Sequence, residues 1–150
     1  MKLQTAGLGL FGTAVLFACL LGCGGNGGNG SSGGGDPALV GTWIGTEVGY
    51  AGSGTWTFSI TASGMDVKSS SGEGYKGTYT ADTSVDPKRF AGTVTECPAP
   101  EFVGKPVNGI YKIEGTTLTF AGNIPGDTTF PTSFTSGGAH QTRVFTLTKQ

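Results

Sequence analysis

From Pro37 onward, apolar and polar residues alternate with a period of two, in short segments separated by glycine, asparagine, aspartate and proline. Side chains of a strand point alternately to its two faces, so this pattern predicts antiparallel strands with one buried and one wet side. The clearest segment is Thr55-Trp56-Thr57-Phe58-Ser59-Ile60, where Trp56, Phe58 and Ile60 share a face and the three hydroxyl residues share the other. Further strands are expected near Val40–Glu47, Met65–Ser70, Lys76–Ala81, Phe90–Thr95, Gly109–Ile113, Thr117–Ala121 and Thr142–Thr148. No stretch after Pro37 sustains a 3.6-residue apolar period, and threonine is abundant where a helix would carry alanine or leucine. Turn chemistry supports a meander: Ser63-Gly64, Glu114-Gly115 and the segment from Gly122 to Asp127 with Pro125-Gly126. Eight short strands joined this way are expected to close into an all-β up-and-down barrel, which leaves no exposed edge; a β-sandwich is the alternative.

The first 35 residues differ in kind. Residues 1–22 carry one charge, Lys2, and an apolar run from Ala6 to Leu21 broken by Gly7, Gly9 and Gly12. This is the form of an export signal, and the run is short for a membrane-spanning helix, which takes about 20 apolar residues. Residues 24–35, GGNGGNGSSGGG, offer no apolar side chain to bury and are expected to form a flexible tether with a reach of about 20 Å. The expected organisation is a leader (1–22), Cys23 with a Gly/Asn/Ser-rich linker (23–36), and one β domain (37–150).

Charge excludes a function class. The chain has 9 basic and 10 acidic residues, and loss of residues 1–22 removes only Lys2, leaving 8 against 10 and a side-chain charge of −2. No basic patch for nucleic acid is expected at that balance. Of three cysteines, Cys19 lies in the leader and Cys23 at its end, so Cys97 stands alone in the β domain, in Glu96-Cys97-Pro98, and is expected to be an inert half-buried thiol. A single histidine, His140, lies in a loop by composition; one histidine and one free thiol are too few for zinc, and no Asp-x-Asp-x-Asp-Gly calcium loop occurs. No catalytic residues, metal or cofactor are expected.

Leu20-Leu21-Gly22-Cys23 resembles the lipobox of bacterial lipoproteins. The resemblance implies acylation of the Cys23 thiol, cleavage after Gly22 and anchoring of the chain in a membrane of the cell envelope, since several acyl chains hold where one would not. Gly24, where an aspartate would signal inner-membrane retention, points to the outer membrane of a Gram-negative host.

The Gly41-Thr42-Trp43 motif, within Leu39-Val40-Gly41-Thr42-Trp43, resembles the opening of lipocalins, and the hairpin Gly109–Leu118, the loop Pro131-Thr132-Ser133-Phe134 and the last strand Phe145–Lys149 resemble an uncharacterised lipocalin-like domain family abundant in planctomycetes. That resemblance implies a small barrel, with Gly41 and Trp43 on the first strand and Arg143 of the last strand covering the Trp43 indole. Arg143 would then act on stability alone. Gly77-Thr78-Tyr79 also resembles avidin-type barrels, but the later tryptophans of a biotin pocket have no counterpart here. Two functions stay open: a hollow barrel that binds a small apolar ligand, and a filled barrel acting as a structural or interaction module. Trp56, Phe58, Tyr79, Phe90, Tyr111 and Phe120 are the candidate ligand-lining residues, core packing being their other role.

Overall fold

The computed structural model describes residues 34–49 and 51–150; the leader, the lipobox with Cys23 and the tether to residue 33 lie outside the described residues. Eight antiparallel strands form one closed barrel: β1 (Gly41–Glu47), β2 (Thr55–Ile60), β3 (Gly64–Ser69), β4 (Gly74–Asp82), β5 (Lys88–Glu96), β6 (Pro106–Glu114), β7 (Thr117–Gly122) and β8 (Arg143–Lys149). Each strand pairs with its sequence neighbours, and β1 closes on β8 with Trp43 opposite Lys149 and Glu47 opposite Phe145. This closure excludes the sandwich. All eight segments marked by period-two alternation are strands, with β4, β5 and β6 each extended by two or three residues at their N-terminal ends.

The alternation sets what faces inward. Trp43, Trp56, Phe58, Ile60, Val67, Tyr79, Phe90, Tyr111, Leu118, Phe145 and Leu147 form one continuous buried cluster within the barrel. Five of the rings meet edge to face or tilted, as in Trp56–Phe145 at 5.1 Å and Phe90–Phe120 at 5.2 Å between centroids, the arrangement that ring quadrupoles favour. A small satellite cluster, Ile110, Ala121 and Val144 with Phe134 against it, lies on the outer side of β6–β8, where the long β7–β8 connection folds back. These outward apolar residues break the polar-out rule because Phe134 covers them.

Two glycines are required by geometry. Gly41 has φ +134°, a backbone region that L-residues rarely adopt, and this places Trp43 correctly from the turn before it. At Gly45 a Cβ would run into the Thr146 carbonyl and lie 2.7 Å from Leu147 Cα, so β1 and β8 could not approach as they do.

One end of the barrel is sealed by the chain's own approach. A turn of 3-10 helix, Pro37–Leu39, plugs it, with Leu39 1% exposed. Asp36, also buried, caps that turn by accepting from the Ala38 N–H at 2.9 Å, and it accepts from Lys88 Nζ at 2.8 Å and from the Tyr111 hydroxyl at 2.9 Å. Gly35 N–H donates to Ala62 O, and Ala81 N–H to Gly34 O. Residues 34–36, expected at the end of the linker, therefore belong to the barrel. At the opposite end the β1–β2, β3–β4, β5–β6 and β7–β8 connections surround a mouth.

Candidate ligand-binding site

A cavity of about 530 Å³ opens at this mouth and reaches down the barrel axis to Leu39. Its wall is supplied by strand positions that face inward by parity: Phe58 and Ile60 of β2, Phe90 and Val94 of β5, Phe120 of β7 and Phe145 of β8. The rim comes from Val48 and Gly49 after β1, Phe102 before β6, and Asn123–Pro125 with Ser136–Gly138 from the β7–β8 connection. A volume of this size lies within the range of about 300–1,000 Å³ that holds one small organic molecule. At the inward glycines Gly92, Gly109 and Gly122 the Phe90 and Phe120 rings lie where a Cβ would stand, so the missing side chains let these two rings fold back against the wall.

Of the six aromatic candidates from the sequence, Phe58, Phe90 and Phe120 line the cavity and Trp56, Tyr79 and Tyr111 do not. Each of the latter three is buried in the surrounding core. Tyr111 is turned to the sealed end by its bond to Asp36, and Tyr79 donates to Thr61 O at 2.9 Å while stacking on Phe90 at 4.9 Å. Burial, then the Asp36 carboxylate, pushes the Tyr111 hydroxyl far above the ordinary phenol range. Burial would raise Asp36, but the donors Lys88, Ala38 N–H and Tyr111 outweigh it and hold the carboxyl below its usual value.

The expected pairing of Arg143 with Trp43 is corrected. Antiparallel register sets Lys149, not Arg143, beside Trp43, and the Lys149 ammonium sits 5.0 Å from the Trp43 ring centroid. Arg143 lies at the mouth, two residues from Phe145, which pairs with Glu47, and its guanidinium is 4.9 Å from the Trp56 ring and 5.5 Å from Phe145. It does share a face with Phe145 and Leu147, and it does cover an indole; the indole is that of Trp56. Arg143 also lines the cavity, so its role is not confined to stability.

Sequence reasoning missed the partners of Arg143. Its Nε donates to Glu47 Oε1 at 2.8 Å and its Nη2 to Glu47 Oε2 at 2.7 Å, a bidentate pair. Nη1 donates to Glu73 Oε1, and Nη2 reaches Glu73 Oε2 at 3.3 Å. The Tyr75 hydroxyl donates to Glu73 Oε1 at 2.8 Å. Burial alone would lower Arg143, but the two glutamates raise it, so the guanidinium stays charged. Burial opposes ionisation of Glu73, and its bonds from Arg143 and Tyr75 prevail, keeping it below the usual carboxylate range. Burial and the Glu73 carboxylate push Tyr75 up to about 12. Glu47 and Arg143 are 96 positions apart in the chain, and only the β1–β8 closure brings them together.

His140 has a carboxylate partner that its sequence neighbourhood does not show. Its Nδ1 lies 2.6 Å from Asp127 Oδ2, and Asp127 Oδ1 accepts from Thr129 N–H and its hydroxyl at 2.8 and 2.6 Å. The Thr129 hydroxyl and N–H, then His140, draw the Asp127 carboxyl down to about 2. This pair ties the two arms of the β7–β8 connection beside the mouth. Among the described residues no serine or cysteine is hydrogen-bonded to the His140 ring. Cys97 is half-buried, and its thiol donates to Ala99 O at 2.9 Å.

No family model matches this chain, and neither a curated protein nor a solved structure matches it.

Proposed function

We propose that this chain is a lipid-anchored protein of the bacterial cell envelope whose lipocalin-like barrel binds one small apolar ligand. The observation that carries the binding reading is the cavity of about 530 Å³ walled by Phe58, Ile60, Phe90, Phe120 and Phe145 and open at one end. Water in a cavity so poor in polar partners is readily displaced, and burial of apolar ligand surface gains about 25 cal/mol per Å² before the costs of association. The anchoring reading is supported by Leu20-Leu21-Gly22-Cys23 followed by a glycine-rich tether.

Titration of a hydrophobic fluorophore into the chain from residue 23 to 150, carrying Cys23→Ser, tests the first reading. Every barrel strand is paired within residues 34–150, so this chain holds the whole folding unit. Saturable enhancement at one fluorophore per chain is expected; its absence would leave the filled-barrel interaction module as the function. Mass spectrometry of the native protein tests the second reading. A diacylglyceryl-modified, N-acylated Cys23 is expected, and an unmodified thiol there would remove the anchor.

A further inference from the structure

We infer that the ligand is a single-chain amphiphile with a cationic head group, held by its tail along the barrel axis and by its head at Glu47, with the charge of Glu73 behind Arg143 adding to the attraction. The inference rests on the reading of the cavity as a ligand site, and adds the chemistry of what occupies it. Charge complementarity carries it. Glu47 and Arg143 are the carboxylate and the cation among the lining residues, no lysine lines the wall, and Glu73 completes the group from outside it. Two carboxylates share one guanidinium, leaving one uncompensated negative charge at the polar end of an otherwise apolar cavity.

The hydrogen-bond inventory leads to the same chemistry. Arg143 has spent at least three of its N–H groups on the two glutamates, so it is a poor receiver for a further anion. Each oxygen of Glu47 accepts one bond from Arg143 and has a lone pair left. The Glu47 side chain is only 7% exposed, so a donor must come to it from the cavity and not from bulk water. A protonated amine supplies such donors together with the missing charge. A fatty-acid carboxylate would be the third anion around one cation, in a setting where screening by salt is weak.

Displacement of the bound fluorophore by dodecylamine, dodecanol and dodecanoate at neutral pH tests this, in the Cys23→Ser chain from residue 23. The tails are equal, so differences report the head group. The expected order is amine, then alcohol, then carboxylate, with the amine at least about tenfold tighter than the carboxylate for one unit charge at partly buried range. Glu47→Gln should bring the amine and the carboxylate to within a few-fold of each other. Glu73→Gln should narrow the gap in the same direction, and because that side chain is 33% exposed it keeps the comparison available if Glu47→Gln does not fold. Dodecanoate binding as tightly as dodecylamine, or displacement by none of the three, would overturn the cationic head group while the bound fluorophore still upholds the cavity as a site. Failure of the fluorophore to bind at all would remove the cavity reading itself, and this inference with it.

Discussion

The indole N–H of Trp43 donates to the carbonyl oxygen of Leu39 at 2.8 Å, whereas the equally buried indole N–H of Trp56 has no acceptor among the described residues. The two tryptophans fill similar space but differ in what their nitrogen contributes. Trp43→Phe removes a buried hydrogen bond, orphans the Leu39 carbonyl and loosens the plug, at an expected cost of about 3–4 kcal/mol. Trp56→Phe loses volume but also removes an unsatisfied donor, and should cost about 1–2 kcal/mol. Urea denaturation of both variants checks the order, and a larger loss in Trp56→Phe would contradict it.

The buried carboxylate at the plug makes stability depend on acid. Asp36 is held below its ordinary value of 3.8 in the folded state. Its contribution is therefore complete above the unfolded value and is lost as pH falls through the lower folded one. Asp36→Asn should cost about 1–3 kcal/mol at neutral pH, by leaving Lys88 and Tyr111 without their acceptor. Denaturation curves of wild type and Asp36→Asn are expected to converge as pH drops below 3.8, and a difference that persists undiminished there would sink the assignment.

Arg143 and Glu47 should show strong coupling. Arg143→Met keeps the apolar stem over Trp56 but strands Glu47, whose side chain is 7% exposed, and should destabilise by about 2–4 kcal/mol. Adding Glu47→Gln to that variant should recover part of the loss, since the stranded charge is gone. A double-mutant cycle measures this directly; additive losses would mean the pair is held apart in solution.

Gly41→Ala and Gly45→Ala should both destabilise, for different reasons. At Gly41 the cost is backbone strain from φ +134°, about 1–3 kcal/mol. At Gly45 the methyl meets the Thr146 carbonyl and Leu147 Cα across the β1–β8 seam, and the expected cost is about 3 kcal/mol or more. Thermal melts check the two losses, and amide hydrogen exchange distinguishes them, since only Gly45→Ala should also perturb the protection of β8.

The barrel was legible because strand parity is a local property. Trp56, Phe58 and Ile60 announce their shared face within six residues, and the structure buries all three. The early ends of β4 and β6 were not legible: pairs such as Val67 with Tyr75 and Thr93 with Pro106 extend the ladder through residues that a strand pattern does not mark. The site was only half visible for a related reason. That Phe58, Phe90 and Phe120 face inward follows from alternation, but which inward residues stop short of the axis depends on glycines in neighbouring strands. Arg143 could be placed on the inner face from its own strand, yet its height along the axis depends on the stagger of β8 against β1, which no short segment encodes. The bonds of Glu47 and Glu73 to Arg143 are products of that long-range closure, whereas the Asp127–His140 pair forms inside the β7–β8 connection, whose path no strand pattern marks.

The plug at Leu39 is also where the polypeptide enters the fold, since Gly34 and Gly35 are bonded to Ala81 and Ala62 beside it. A pull arriving at residue 34 would be borne first by the backbone bonds of Gly34 and Gly35 and by Asp36 with its grip on Lys88 and Tyr111, at the end of the barrel opposite the rim at Val48 and Gly137. If the chain is anchored and loaded as proposed, tethering and loading are mechanically separate: the barrel is held from its plugged end and its mouth is left unobstructed.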